Sequence, residues 1–221
     1  MNREAIRARI EEIGIIPAIR VYSAEDALFA AEAVSEAGIP IVEVTMTVPG
    51  AIEVIREMVR QHPGLIVGAG TLLDVDTAER CLDSGASFLT SPGLDLDIVN
   101  FALERGVVVL PGALTPTEIM IARKAGVDFV KIFPCFANGG PRYIKALKLP
   151  FPDVPLIASG GVDQQNAGEF ILAGAAALGI GGHLIHRDAI RRRERGWIHE
   201  LSRRYLQTVS EARAQLNEAS V

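Results

Sequence analysis

Lysine is scarce in this chain: 22 of its 221 residues are Lys or Arg, and only Lys124, Lys131, Lys145 and Lys148 are lysines. Lys131 alone stands inside an apolar run, VDFVKIFP (127–134); the other three fall on helix-like stretches. Burial disfavours the charged form of an amine, and a neutral lysine attacks a ketone to form an imine. The same position also suits a lysine that snorkels to a strand end and pairs with a phosphate or carboxylate. The residues alone leave both readings open. Glu43, in IPIVEVTM (39–46), is a second charge in an apolar segment, where a carboxylate needs a partner or a task. As a task, a carboxyl in a dry site can shuttle protons; as a structural partner, it would pair with Lys131 or Arg20. Arg20, near the end of IIPAIRV (15–21), has the fork geometry to grip a carboxylate or else faces solvent.

Glycine pairs form the next feature. Gly160 and Gly161 follow the segment ending at Ser159, and Gly179, Gly181 and Gly182 fall within the last apolar segment. Glycine lets backbone N–H groups approach a phosphate closely, although tight turns use the same residue. Thr45, Thr47, Thr71, Thr90, Ser91 and His183 are further polar residues at segment ends. Cys135 lacks a histidine partner nearby in the sequence, which a nucleophilic thiol would want. His62, His183, His186 and His199 lack metal-ligand spacing, so no metal is expected; no cofactor is expected either. The run RRRER (191–195) reads as a solvated helix face.

These residues need elements to hold them, and the chain supplies one unit repeatedly. Apolar segments at 15–21, 39–46, 65–71, 87–93, 107–114, 127–134, 154–162 and 176–185 alternate with amphipathic stretches. Near-continuous apolar character fits parallel strands covered on both faces. The stretch after Ser23 opens with an N-cap and acidic Asp26; the one after Thr115 has Pro116 at its first position and Glu118 three residues on. Gly38, Gly85, Gly106, Gly126 and Gly174 punctuate the helix ends. A doubly wound open sheet would more often show a Gly-rich fingerprint after its first strand, and IPAIRVYSAEDA has none. Eight strand–helix units therefore predict an α/β fold, a (β/α)8 TIM barrel, whose chemistry sits at the strands' C-terminal ends. One domain spans 1–221, with an N-terminal helix at 1–13, placed to close the barrel bottom, and a final helix and tail at 188–221.

Composition agrees with that fold. Such barrels need ~250 residues, ~200 at the lower limit, and 49% hydrophobic with 22% charged residues is ordinary globular usage. The net charge of -5 argues against nucleic acid. The N-terminus has no apolar signal core, and the longest apolar run, 170–182, is too short for a membrane span. Two cysteines make no secreted disulfide framework. A cytoplasmic protein with neither nucleic-acid nor membrane partner is the expectation.

EVTMTVPGA, VGAGT, SPG, KIFPC with ANGG, YIKALKLPFP, SGGV and GIGG, in this order from about residue 15 to 184, together resemble the 2-keto-3-deoxy-6-phosphogluconate (KDPG) and 4-hydroxy-2-oxoglutarate (KHG) aldolase family. The resemblance implies a class I aldolase, a carbon–carbon lyase of the Entner–Doudoroff type, usually a homotrimer. It makes Lys131 the Schiff-base lysine and Glu43 the general acid/base. Thr71 becomes a pyruvate contact, Pro92 and Phe133 pocket walls, and Gly160 and Gly161, preceded by Ser159, a phosphate-binding pair. Many members carry an arginine where Thr47 stands here; a subset carries one at the end of the first strand, so the carboxylate grip falls to Arg20. In GIGGHL a Ser is common at or after the second glycine of the pair. Gly181 and Gly182 lack that hydroxyl, His183 sits beside the gap, and a non-phosphorylated substrate stays open alongside a phosphorylated one. The implied reaction releases pyruvate plus glyceraldehyde 3-phosphate or glyoxylate from a 2-keto acid of gluconate or galactonate type. Two rivals remain: a phosphate-binding barrel epimerase or isomerase, and a catalytically silent sugar-acid-binding protein.

Overall fold

The computed structural model describes residues 1–218. Its strands are β1 (Ile15–Ile19), β2 (Ile41–Thr45), β3 (Ile66–Gly70), β4 (Phe88–Thr90), β5 (Val108–Leu110), β6 (Gly112–Ala113), β7 (Val130–Ile132), β8 (Leu156–Ser159) and β9 (Ala175–Ile180). All pairings are parallel, in the order β5-β4-β3-β2-β1-β9-β8-β7-β6. Chain continuity through Pro111 joins the two ends of that order, giving the expected α/β barrel. One expectation needs correcting: the segment at 107–114 yields two short strands, not one. Proline has no N–H to extend the ladder, so β5 pairs with β4 and β6 with β7, while the Pro111 carbonyl still accepts from Lys131 N at 2.9 Å.

Helices follow the strands: α1 (Arg3–Ile13) precedes β1, and α2 (Ala24–Glu36), α3 (Ala51–Gln61), α4 (Val75–Asp83), α5 (Leu96–Glu104), α6 (Pro116–Ala125), α7 (Pro141–Lys148) and α8 (Ala167–Leu172) alternate with the strands. Ser23 accepts from Asp26 N at 3.1 Å, and Thr115 and Glu118 form a full capping box with Pro116 at the first position. Asp74 and Asp95 cap α4 and α5 in the same way.

Side-chain alternation explains the interior. Val42, Val44, Val67, Ala69, Leu89, Val109, Val130, Ile132, Ala158 and Leu178 pack outward among the helices. The opposite parity forms a separate inner cluster, Ile16, Ile41, Ile66, Phe88, Val108, Phe129, Ile157 and Ala177, closed from below by Ile6 and Ile10 of α1. Two residues further along, the inward positions turn small or polar in seven of these eight segments, Ala18, Glu43, Gly68, Thr90, Lys131, Ser159 and Gly179, and only β5 keeps an apolar one, Leu110. The barrel is thus packed solid at its base and hollow at its C-terminal mouth. Arg3 ties α1 to the loop before β7 through Asp128, at 3.0 Å.

The C-terminal segment differs from one helix and tail. It comprises α9 (Arg187–Arg191) and α10 (Arg195–Glu218), and the tail residues 219–221 lie outside the described residues. The arginine run is not a helix face: 192–194 form the turn between these helices. Arg193, at a left-handed φ of 54°, pairs with Glu25 and Asp26, and Arg195 pairs with Glu32 and Glu36. Those acids lie on α2, so the run staples the C-terminal helices to the barrel wall.

Candidate active site

At the C-terminal mouth a cavity of about 410 Å³ is walled by Ala18, Arg20, Glu43, Thr45, Thr71, Pro92, Lys131, Phe133, Ser159, Gly160, Gly161, Val162, Gly179, Gly181, Gly182 and His183. Strand parity brings most of them together: Ala18 and Arg20, Glu43 and Thr45, Lys131 and Phe133, Ser159 and Gly161, and Gly179 and Gly181 are successive inward positions of β1, β2, β7, β8 and β9 or of their immediate extensions. In-register neighbours fix heights, since Ala18, Glu43 and Gly68 pair laterally, as do Gly112 and Lys131.

Lys131 is only 9% and Glu43 only 5% exposed. The Lys131 Nζ donates to Thr90 Oγ1 at 3.1 Å, stands 4.0 Å from Glu43 Oε2, and lies 5.5 Å from the centre of the Phe133 ring. The amine therefore faces a carboxylate without being locked against it. Gly70 makes room for this pair. A Cβ there would stand 2.5 Å from Glu43 Oε1 and 2.6 Å from Thr90 Cγ2, so any side chain at 70 would displace the carboxylate, the threonine or both. Gly112 does the same for backbone. A side chain on it would collide with the Pro92 carbonyl, and its N–H donates to Gly93 O at 3.2 Å, seating the SPG turn that carries Pro92. Ser91 closes that turn by donating to Gly93 O at 2.7 Å.

The mouth beyond strands β8 and β9 is backbone-rich. Gly160 and Gly161 both adopt φ of 86°, a conformation that L side chains rarely reach. Asn166 braces the turn by donating to Gly161 O at 2.9 Å. Phe133, 37% exposed, lies against Gly160 and forms the rim beside it.

Of the residues singled out from the sequence, Lys131, Glu43, Arg20, Thr71, Pro92, Phe133, Ser159, Gly160, Gly161, Gly181 and Gly182 all line the cavity. Thr47 does not. It is exposed past the end of β2, and its hydroxyl lies 2.7 Å from that of Thr45, which does line the wall. Thr45 also donates to Ile19 O at 2.9 Å, tying β2 to β1 just below Arg20. Thr90 had no assigned role as a strand-end residue, yet it holds the amine of Lys131; inward parity on β4, two places after Phe88, was the signal that marks it. Cys135, next to the lysine strand, is fully buried, and burial pushes its thiol up to about 12. Among the described residues no three His, Cys, Asp or Glu side chains are grouped as a metal ion would require.

Comparison with known proteins gives the following likenesses. The KDPG and KHG aldolase family matches residues 6–201. A 2-dehydro-3-deoxy-phosphogluconate aldolase of Pseudomonas aeruginosa is 33% identical over 217 residues, covering 96% of this chain and 98% of its own. A KHG/KDPG aldolase of Escherichia coli is 33% identical over 190 residues, covering 86% of this chain and 89% of the relative. Among solved structures, a KDPG aldolase from Legionella pneumophila with pyruvate captured as a covalent carbinolamine superimposes with a TM-score of 0.84. It is 30% identical and covers 89% of this chain and 96% of that one.

Proposed function

The chain belongs to the KDPG and KHG aldolase family, and we propose how its own residues carry out that family's carbon–carbon cleavage. It is a class I, Schiff-base aldolase, a lyase that splits a 2-keto acid into pyruvate and an aldehyde. The observation that carries the assignment of roles is the buried amine of Lys131 in the wall of a 410 Å³ cavity, 4.0 Å from the Glu43 carboxylate.

In the proposed cycle the Lys131 Nζ adds to C2 of the keto acid, and loss of water gives the protonated imine. Arg20 and Thr71 hold the C1 carboxylate; the guanidinium of Arg20 has no ion pair or hydrogen bond among the described residues and is free for that task. Glu43, through a water or the substrate's own hydroxyl, takes the proton from the C4 hydroxyl. The C3–C4 bond breaks, its electron pair flows into the imine to form the enamine, and the aldehyde departs. Glu43 then returns a proton to C3, and hydrolysis of the imine frees pyruvate and Lys131. Pro92 and Phe133 form the apolar walls, and Thr47 acts only through Thr45. The far end of the substrate, phosphorylated as in the KDPG relatives, meets Ser159 and the backbone amides of Gly160, Gly161, Gly181 and Gly182. Three-carbon glyceraldehyde 3-phosphate and two-carbon glyoxylate are the proposed aldehyde products.

The working unit is taken to be a cytoplasmic homotrimer of one-domain chains, as the family resemblance implies. Sedimentation equilibrium at three times the chain mass would support the trimer, and a lone chain would overturn it. The decisive chemical test is borohydride reduction in the presence of pyruvate, followed by peptide mapping. A pyruvate-sized adduct on Lys131 is expected; a folded protein carrying none there would overturn the role of Lys131.

A further inference from the structure

Beside the catalytic cavity lies a second one of about 930 Å³, whose wall includes Arg20, Tyr22, Asp26, Gly182, Arg187 and Asp188. The two share Arg20 and Gly182. Gly182 therefore stands where the two adjoin. A Cβ built on it meets no atom within 4 Å, and its φ is not in the left-handed region. Neither packing nor backbone demands glycine at 182, in contrast to Gly160 and Gly161, so what glycine contributes there is open space.

The annex is cationic in a chain whose net charge is -5. Its two acids are already neutralised: Asp26 pairs with Arg193 and Asp188 with Arg191, each at 3.0 Å. Arg187 has no ion pair or hydrogen bond among the described residues and rests over the exposed Tyr22 ring, 4.7 Å from its centre. A stacked guanidinium keeps its five donors free and is already oriented.

Resting on the aldolase reading above, we propose that this annex receives the distal part of aldehyde fragments longer than three carbons, with Arg187 binding a terminal oxyanion. The ligand class is a 2-keto acid extended past Gly182 and ending in a phosphate or a carboxylate. Arg20 keeps the C1 carboxylate at one end, and Arg187 takes the anion at the other.

Condensation of pyruvate with three straight-chain five-carbon aldehydes tests this: 5-oxopentyl phosphate, 5-oxopentanoate and pentanal, with glyoxylate as the short reference. The wild-type chain is expected to favour the anionic pair over pentanal by about tenfold in kcat/KM, the size of one charge-assisted hydrogen bond. Which of the two is faster distinguishes phosphate from carboxylate as the preferred terminus. Arg187→Gln should erase that preference through KM and leave glyoxylate unaffected, and Arg187→Lys should restore part of it. Gly182→Leu should lower the ratio of five-carbon to glyoxylate turnover. Equal use of pentanal and the anionic aldehydes by wild type, or an anion preference that survives Arg187→Gln, would overturn the proposal while glyoxylate condensation kept the aldolase reading intact. Failure with every aldehyde, glyoxylate included, would instead overturn the aldolase reading and the annex with it.

Discussion

At the scale of single residues the site is a lysine amine whose freedom is limited by one hydroxyl. Thr90, 1% exposed, accepts from Lys131 Nζ at 3.1 Å, and no other hydrogen bond holds that amine among the described residues. Thr90→Val keeps the branched shape that fits against Gly70 and removes only the acceptor. We expect pyruvate-dependent borohydride trapping to slow about tenfold, as for the loss of one hydrogen bond to a charged group. Thr90→Ser should restore the rate, and the melting temperature should hold steady in both. Unchanged trapping in Thr90→Val would remove the hydroxyl from the account. Glu43→Gln tests the other neighbour. General acid–base groups contribute about a hundredfold or more, so kcat should fall by at least that much while the imine still forms and is still trapped. Full turnover in that variant would take the proton shuttle away from Glu43. Lys131 and Glu43 were legible in the sequence because charge inside apolar strands is conspicuous. Thr90 was not, because a threonine at a strand end is ordinary until parity and register bring it to the lysine.

The strand–helix units set these heights, and their ends were the most readable local features. Thr115, Pro116 and Glu118 announce α6 through side-chain chemistry within four residues, and the structure has the complete capping box. The Thr115 hydroxyl, then the Leu114 amide, hold the Glu118 carboxyl below the usual carboxylate range. A depressed carboxylate stabilises the fold above its unfolded pKa, and that contribution is lost as pH falls through the folded value. Thr115→Ala should therefore cost about 1 kcal/mol at neutral pH, and the cost should shrink in acid. Urea unfolding of both proteins at neutral pH and in acid measures this; a cost independent of pH would rule out the linkage. The break at Pro111 and the turn at 192–194 were harder to foresee. An apolar run containing proline still looks like one strand, and an arginine run carries no record of the α2 acids that capture it.

For the whole molecule, the barrel hides both thiols. Burial pushes Cys81 up to about 11 and Cys135 up to about 12, against about 8.5 for an exposed thiol. Both should resist iodoacetamide at about pH 8.5 in the folded protein and react once it is unfolded; rapid labelling of native Cys135 would contradict this. The sign for stability follows: above the unfolded thiol pKa the folded chain binds more protons than the unfolded one, so stability is intact below that pH and falls as pH rises toward the folded values.

The sequence by itself determined the fold class, the alternation of strands and helices, and the presence of Lys131 and Glu43 as charges inside apolar strands. Each rests on periodicity, caps or the cost of burying charge, all of which act within a few residues of chain. Only the tertiary structure decided which polar residues share a cavity. Closing the sheet superimposes residues from eight segments according to register and parity, and that sets Thr90 against Lys131, leaves Thr47 outside and makes Gly70 indispensable space for Glu43. The same closure opens Gly182 onto an arginine-lined annex, because Arg20, Tyr22 and Arg187 meet only when the first and last strands become neighbours.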